Sequence, residues 1–468
     1  MSVLERPPAV SGARAVAPGG AGEQLPDRGT PRAGPSAAPQ PSTLPEVGAH
    51  HTWMAILLIV MVGKVTEWVP GISGLPLAKV AFLFAAFFTA RVRHKLIPVR
   101  VTSLRIAKPV LAYLILSILS VFFSIYKSNT LITSEGSVVL LITFVMLIKI
   151  TQTMRDVERM LLALIGSAVS LTAGVLFNYS GGQAHINDNF DPNDISYALD
   201  SLLPIVLAFA VTTSKRGKWL AYGLALSMVV AVLLTASRGG TIGLGVVLLA
   251  LVAYPLTFSK TGELRGFSLG GVIVKLSLIA VLGVAVWDNL PAFTTQRLAT
   301  LADLRHDYNA DPHLNASRTT LWRRDIGLAL QRPIGYGLGS APAVDGLAGG
   351  EYRTAHNSFV QAFLELGALG LVLFVSTYLI TWNELRKVAR RGRQRAVDPD
   401  TPRAALYARA LRIGLAGNLV AGFFLSQAYS YCLFLIVATA ASLVRVAGPA
   451  PTNAPAPLIG PTRPRVDI

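Results

Sequence analysis

The sequence predicts an all-α membrane protein with about twelve transmembrane helices and one large loop on the outer side. Three observations predict this fold. Of the 468 residues, 52% are hydrophobic and 14% are charged, whereas a soluble domain has roughly 25% charged residues. Apolar runs that reach or approach the ~20 residues needed to cross a bilayer recur along the chain. The basic residues are concentrated in alternate loops between those runs, as in multi-pass membrane proteins.

The chain divides into a long central part and two tails. Residues 1–50 are rich in Pro, Gly, Ala and Ser and have no apolar run, so we expect a disordered tail without a signal peptide. Residues 51–446 form the expected transmembrane domain, and 447–468 a second Pro-rich tail. The predicted spans are 53–70, 74–90, 109–126, 137–150, 160–177, 195–213, 219–236, 240–257, 270–287, 357–381, 407–426 and 428–446.

The charge of the loops predicts the orientation of the chain. Loops 91–108 and 383–412 hold six and nine Lys or Arg residues, whereas loop 178–194 holds none. The positive-inside rule places the basic loops and both termini in the cytoplasm. The net charge of +17 is thereby explained by topology, and we expect no nucleic-acid partner.

The longest outer loop, about 288–356, has as many acidic residues as arginines. Within it, Ser317–Leu330 has the pattern of an amphipathic helix, and a Gly-rich turn follows at 333–339. A loop of this length is usually functional rather than a plain connector.

Two groups of polar residues on the outer side are candidates for chemistry. His356, Asn357 and Ser358 lie at the start of the span predicted at 357–381. His356 has the ordinary pKa, about 6.5, that suits proton transfer at neutral pH, while Asn357 and Ser358 also fit a helix cap. Asp194 follows Asp191, Pro192 and Asn193 at the start of another run, where capping is the simpler explanation.

Arginines on the outer side are candidates for binding an anion. Arg238 lies in a Gly-containing turn between two spans, and Arg318 and Arg323 lie in the amphipathic segment. A guanidinium binds phosphate in a two-point manner. Arg238 snorkelling to lipid headgroups, and a solvated helix face for Arg318 and Arg323, are the alternatives. Together with His356, these arginines indicate an anionic, membrane-anchored substrate such as a lipid diphosphate, and we expect Arg238, Arg318 and His356 to line one outward-facing cavity.

Three motifs, taken in order, resemble those of the O-antigen ligase and Wzy-type polymerase superfamily over roughly residues 180–380. They are Ser237-Arg238-Gly239-Gly240, then Arg318…Trp322…Pro333…Gly335-Tyr336-Gly337, then His356-Asn357-Ser358-Phe359…Glu365-Leu366-Gly367…Gly370. The long N-terminal tail is not part of the family core, and the Asp191–Asp194 motif is closer to exopolysaccharide and capsule-type members than to lipid A–core ligases.

The resemblance implies a bacterial inner-membrane glycosyltransferase, a ligase or a polymerase, whose active site faces the periplasm. Such an enzyme moves a glycan from undecaprenyl diphosphate to a lipid or glycan acceptor without a nucleotide sugar, a cofactor or a metal. Carried over by motif, Arg238 and Arg318 hold the diphosphate and His356 orients or deprotonates the acceptor hydroxyl. Asn357, Arg323 and Asp194 are expected to bind substrate.

Two other classes of protein fit some of the same features. A transporter or flippase of lipid-linked oligosaccharide would have charged or broken helices near the midplane, and Lys64 with Glu67 in the first span is the obvious pair. A scaffold of an envelope-assembly complex would leave the outer arginines and His356 without a role.

Overall fold

The fold is helical throughout the part of the chain that the structure, a computed structural model, describes. That part comprises residues 48–72, 74–184, 186, 191–259, 262–301, 317–392 and 400–448. It contains no β-strand and sixteen α-helices. In chain order these are α1 Ala49–Gly63, α2 Val65–Trp68, α3 Leu77–Val92, α4 Ala107–Leu119, α5 Lys127–Ile150, α6 Met154–Phe177, α7 Pro192–Thr212, α8 Lys215–Leu234, α9 Arg238–Ala253, α10 Leu269–Trp287, α11 Ala292–Ala299, α12 Arg318–Gln331, α13 Ala341–Leu347, α14 Ser358–Arg391, α15 Asp400–Gly422 and α16 Tyr431–Val446.

Each of the twelve predicted spans contains a helix. Six of these helices, α5, α6, α7, α8, α10 and α14, are long and apolar enough to cross a bilayer. The all-α membrane fold is therefore confirmed, while the number of twelve spans stays a prediction. Short helices α11, α12 and α13 occupy the described parts of the predicted loop at 288–356. The two predicted tails fall almost wholly outside the described residues.

Two helices differ from the predicted spans for identifiable reasons. α5 begins ten residues before the apolar run at 137, because polar side chains of its first turns bind a later loop. Asn129 and Thr130 donate to the backbone carbonyls of Gly339 and Leu338 at 2.6 and 2.7 Å. The first span is divided, since α1 ends at Gly63 and Lys64 has a φ of 52°. Lys64 therefore does not share one continuous helix with Glu67.

The centre of the bundle is formed by α15, which packs against α7, α9 and α14. A buried chain of hydrogen bonds crosses it: Tyr378 donates to Asn418 at 2.6 Å, and Asn418 donates to Ser201 at 2.8 Å. α10 lies at the periphery against α9 with its described surface exposed. Because no water satisfies polar groups in hydrocarbon, interhelical hydrogen bonds of this kind fix the helices that carry them.

The helices named here begin or end at one of two opposite ends of the bundle. At the end that we call the site end, α7, α9 and α14 begin and α15 finishes, joined by contacts such as that of Ser358 Oγ with the carbonyl of Leu425, 2.7 Å away. At the other, which we call the basic end, α9 and α14 finish and α15 begins. There Arg409 donates to the carbonyl of Pro255 at 2.7 Å.

A break in α14 holds the turn at 333–337 against the bundle. Gly367 has a φ of 69° and a ψ of −167°, so the helix is interrupted there. The predicted turn fills the break: the N–H of Tyr336 donates to Leu364 at 3.0 Å and that of Gly337 to Glu365 at 2.8 Å. The N–H of Ala368 donates in return to Pro333 at 3.0 Å. These bonds satisfy backbone groups that the break would otherwise leave unpaired.

Candidate functional site

Four of the helices that begin at the site end start with a residue whose side chain caps the helix. A helix N-terminus carries a partial positive charge and favours an anion. The first turns keep their shape because each cap accepts backbone N–H hydrogen bonds. The caps are Asp191 on α7, Ser237 on α9, Ser317 on α12 and Asn357 on α14.

Contacts between α12 and the loop before α14 bring Arg318 near His356. The indole N–H of Trp322 donates to the carbonyl of Ala355 at 2.6 Å. Arg318 lies one turn before Trp322 on the same face of α12, and Ala355 immediately precedes His356. The charge of Arg318 accordingly lowers the pKa of His356.

His356 is held in an unusual backbone conformation and a partly dry environment. Its φ is 47°, in the left-handed region that a non-glycine residue occupies at a cost and that recurs at functional sites. Burial lowers the pKa of the half-buried imidazole below its usual value. Arg318 and Arg353 lower it further, whereas Asp191 raises it. The net shift keeps the imidazole neutral at pH 7 and able to accept a proton.

Arg238 occupies the first position of α9, next to the start of α7. Ser237 Oγ donates to Asn193 Oδ1 at 2.5 Å, which ties the two helix starts together. The Arg238 guanidinium donates to Thr300 Oγ1 at 3.3 Å, across to the segment after α11. Ala236, two residues before Arg238, is another non-glycine residue with a positive φ, 49°. Local strain therefore adjoins both Arg238 and His356.

The segment after α15 joins the helices that carry the two arginines. The ring of Phe423 meets Trp322 edge to face with centroids 5.2 Å apart. Phe424 lies against Gly239, where a Cβ would approach its side chain to 2.7 Å. The starts of α9 and α12 thus pack on two consecutive residues of one turn.

A second set of hydrogen bonds ties Asp194 to the start of α14. Gln427 donates from its side-chain amide to Asp194 Oδ1 at 2.6 Å and from its backbone N–H to Ser358 Oγ at 3.0 Å. Asp194 and Gln427 also line a cavity of about 330 Å³ together with Lys64, Tyr429 and Tyr431. Polar groups and aromatic rings around a cavity of this kind suit a hydroxyl-rich or anionic ligand.

Among the predicted site residues, Arg238, Arg318, His356, Asn357 and Asp194 all lie at the site end. Asn357 acts as a cap, since its Oδ1 accepts from the N–H groups of Phe359 and Val360 at 2.9 and 3.1 Å. Arg323 differs from the others because its side chain is exposed on α12, away from the buried face of Leu321 and Asp325.

The sequence prediction missed Gln427, Phe423 and the anchoring role of Trp322. A signal for Gln427 was present, because Ser426 and Gln427 are polar residues between two apolar runs. Phe423 lies in an apolar run in which no sequence pattern separates a residue that faces a site from one that faces lipid.

Comparison with known proteins identifies one family. Residues 201–375 match the family described as O-antigen ligase (Wzy_C). The matched range includes Arg238, Arg318 and His356, while Asp194 and Gln427 lie outside it. No curated protein matches the chain.

Proposed function

We propose that this chain, whose residues 201–375 match the O-antigen ligase family, is a member of that family and a membrane glycosyltransferase of the ligase or polymerase type. Its donor is a glycan on undecaprenyl diphosphate, and its acceptor is a hydroxyl group of a lipid or of another glycan. The reaction takes place at the site end, which faces the periplasm in the topology that the loop charges predict, in the bacterial inner membrane.

The observation that carries the proposal is the placement of Arg318 beside a neutral histidine. The acceptor hydroxyl oxygen attacks the anomeric carbon of the donor sugar, and the bond from that carbon to the diphosphate oxygen breaks. The diphosphate leaves with the bonding electrons, so negative charge develops on it. His356 takes the proton of the hydroxyl, and its lowered pKa keeps it in the form that does so.

Arg238 and Arg318 bind the diphosphate in this scheme. Fixed cations directed at a leaving group stabilise the charge that develops in the transition state. Arg238 and Arg318 each occupy the first turn of a capped helix, so the partial charges of the two N-termini reinforce the guanidinium groups. Trp322 and Phe423 supply apolar surface next to them for the polyprenyl chain.

The remaining predicted residues have supporting roles in the proposal. Asn357 shapes the start of α14, and its amide N–H₂ is available to a sugar hydroxyl. Asp194, fixed by Gln427, binds hydroxyl groups of the glycan in the adjoining cavity. Arg323, on the exposed face of α12, contacts the distal part of the donor or acceptor.

The test uses the purified protein with a synthetic polyprenyl diphosphate oligosaccharide and scores release of free polyprenyl diphosphate, with and without an acceptor. We expect acceptor-dependent release that Arg318→Gln and His356→Asn each abolish, and the length of the product distinguishes a ligase from a polymerase. Release that is unaffected by both variants would contradict the assigned roles. Passage of the lipid across a vesicle membrane, with no release for any acceptor offered, would replace the proposal with transport.

A further inference from the structure

A second polar cavity lies at the basic end of the bundle, remote from the candidate site. It has a volume of about 360 Å³, within the roughly 300–1,000 Å³ typical of small-molecule sites. The cavity lies at the basic end because α14, which begins at the site end with Ser358, lines it only with residues of its last turns. The polar and aromatic side chains that line it are Tyr254, Trp382, Arg386, Arg390, Arg409 and Arg412.

Arginines are the charged side chains that the structure describes around this cavity. Within the described part of the chain, four arginines and no carboxylate side chain line it. The closest described acidic residue along α14, Glu384, lines a neighbouring cavity that Arg386 and Arg390 also line. There it binds Lys387 at 2.6 Å and Arg105 at 3.8 Å. Guanidinium groups that converge on one cavity favour an anion bound between them.

Two of the four arginines are held in place by contacts with other segments of the bundle. Arg409 is buried, and it donates to the carbonyls of Pro255 and Arg265, each at 2.7 Å. The guanidinium of Arg412 stacks over the ring of Trp382 at 4.4 Å from the centroid, a favourable cation–π contact. The guanidinium groups of Arg409 and Arg412 are therefore held in fixed positions. Arg386 and Arg390 on α14 are instead exposed and accessible from solvent.

The position of the cavity selects the kind of anion. Tyr254 and Trp382 lie at its mouth with about half and a third of their surfaces exposed (49% and 36%). Both follow long apolar stretches of α9 and α14, where tyrosine and tryptophan mark the membrane–water interface. Basic pockets between transmembrane helices at that depth bind anionic lipid headgroups. Basic residues that serve only to set the membrane topology do not have to line one cavity together.

We propose that this cavity binds the phosphate headgroup of an anionic phospholipid. The phosphate lies between Arg386, Arg390 and Arg412, where the planar guanidinium groups offer two-point hydrogen bonds. The acyl chains lie along the apolar surface of α9 and α14. The site is independent of the proposed glycosyl transfer, because it lies at the opposite end of α14.

The test is native mass spectrometry of the whole protein released from mixed vesicles of phosphatidylglycerol and phosphatidylcholine. We expect retention of phosphatidylglycerol in preference to phosphatidylcholine. The double variant Arg386→Gln/Arg390→Gln should weaken that retention at least about tenfold, since a hydrogen bond to a charged group contributes about one factor of ten or more. Lys215→Gln/Arg216→Gln is the matched control, because it removes the same charge from exposed residues at the same end.

Three outcomes would overturn the proposal. Equal losses in the variant and the control would show general attraction to the membrane surface rather than a site. Equal retention of both lipids by the unchanged protein would show that the headgroup charge is not recognised. Displacement of the bound lipid by inorganic phosphate at the same concentration would assign the cavity to a free anion. Melting temperatures measured in neutral detergent show whether each variant is folded, and Arg386→Lys/Arg390→Lys provides a second, charge-conserving variant that should retain part of the binding.

Discussion

The side-chain amide of Gln427 donates a hydrogen bond to the carboxylate of Asp194 at 2.6 Å. Gln427 follows α15, and Asp194 lies in the first turn of α7. The backbone N–H of Gln427 binds Ser358 at the start of α14 as well. One residue therefore connects three helix ends around the candidate site.

The first prediction concerns this connection. Gln427→Leu removes the donor to Asp194 but keeps the backbone contact to Ser358, so glycosyl transfer should fall at least about tenfold, the cost of losing a hydrogen bond to a charged group. The rate of release of polyprenyl diphosphate measures it. Gln152→Leu, at the basic end, is the control and should leave the rate unchanged. An unaltered rate in Gln427→Leu would show that Asp194 needs no such partner.

The second prediction tests His356 without disturbing its backbone. Asparagine tolerates a positive φ better than most residues do, so His356→Asn should fold while lowering the transfer rate by about 10²–10⁴, the contribution of a general base. Tyr352→Asn is the matched control, because Tyr352 has a φ of 58° and is exposed. A normal rate in His356→Asn would remove the histidine from the mechanism.

The third prediction concerns the acidic limb of the pH–rate profile. Protonation of His356 stops it from accepting a proton, so activity falls as the pH drops through its lowered pKa. Asp191 raises that pKa and Arg353 lowers it. Asp191→Asn should therefore move the acidic limb to lower pH and Arg353→Gln should move it to higher pH. Shifts in the same direction for both variants would contradict the assignment of this limb to His356.

The fourth prediction concerns stability and Asp325, which is buried on α12. Burial raises the pKa of Asp325 to about 7, the Asp345 carboxylate also raises it, and Arg324 lowers it. The unfolded chain releases this proton near pH 4, so stability declines as the pH rises from about 4 to about 7. Asp325→Asn should reduce the difference in melting temperature between about pH 5 and pH 8. The exposed Asp288 provides the control: Asp288→Asn should leave that difference as it is, and the same result for Asp325→Asn would refute the shift.

The fifth prediction concerns the break in α14. Gly367→Ala places a side chain at a positive φ against the carbonyl of Pro333, so the free energy of unfolding should fall by roughly 1–3 kcal/mol. Gly223→Ala in α8, where a Cβ meets nothing within 4 Å, should instead raise it by up to ~1 kcal/mol. Denaturation in detergent measures both, and equal stability of the two variants would show that the break imposes no strain.

The positions of the helices were predictable because apolar runs and bilayer length impose them. Capping was predictable as well, since Asp191 and Asn357 have the residue types that begin helices. The break at Gly367 was not, because a glycine in an apolar run has the same appearance whether the helix continues or stops. Its cause is a contact with Pro333, which is distant in sequence.

The candidate site was predictable only in part, for a related reason. Residue type and side of the membrane selected Arg238, Arg318 and His356, but nothing local indicates that Phe423 and Phe424 lie between the helices of the two arginines. The sequence predicts one continuous span through Lys64, because the left-handed φ of this residue has no signature in the sequence. Contacts between distant residues decide each of these cases.

The contact between the 333–337 turn and α14 also limits where residues can be inserted into the chain or deleted from it. The spacing from Pro333 to Tyr336 and from Leu364 to Ala368 has to be kept, because two stretches of backbone hold each other there. Between them, the exposed bend at Gly349, where a Cβ meets nothing within 4 Å, forms backbone hydrogen bonds with nearby residues of the same segment, to Gly346 and Asp345. An epitope tag or fluorophore inserted at that bend would report on the site end of the protein without separating the two stretches that hold each other.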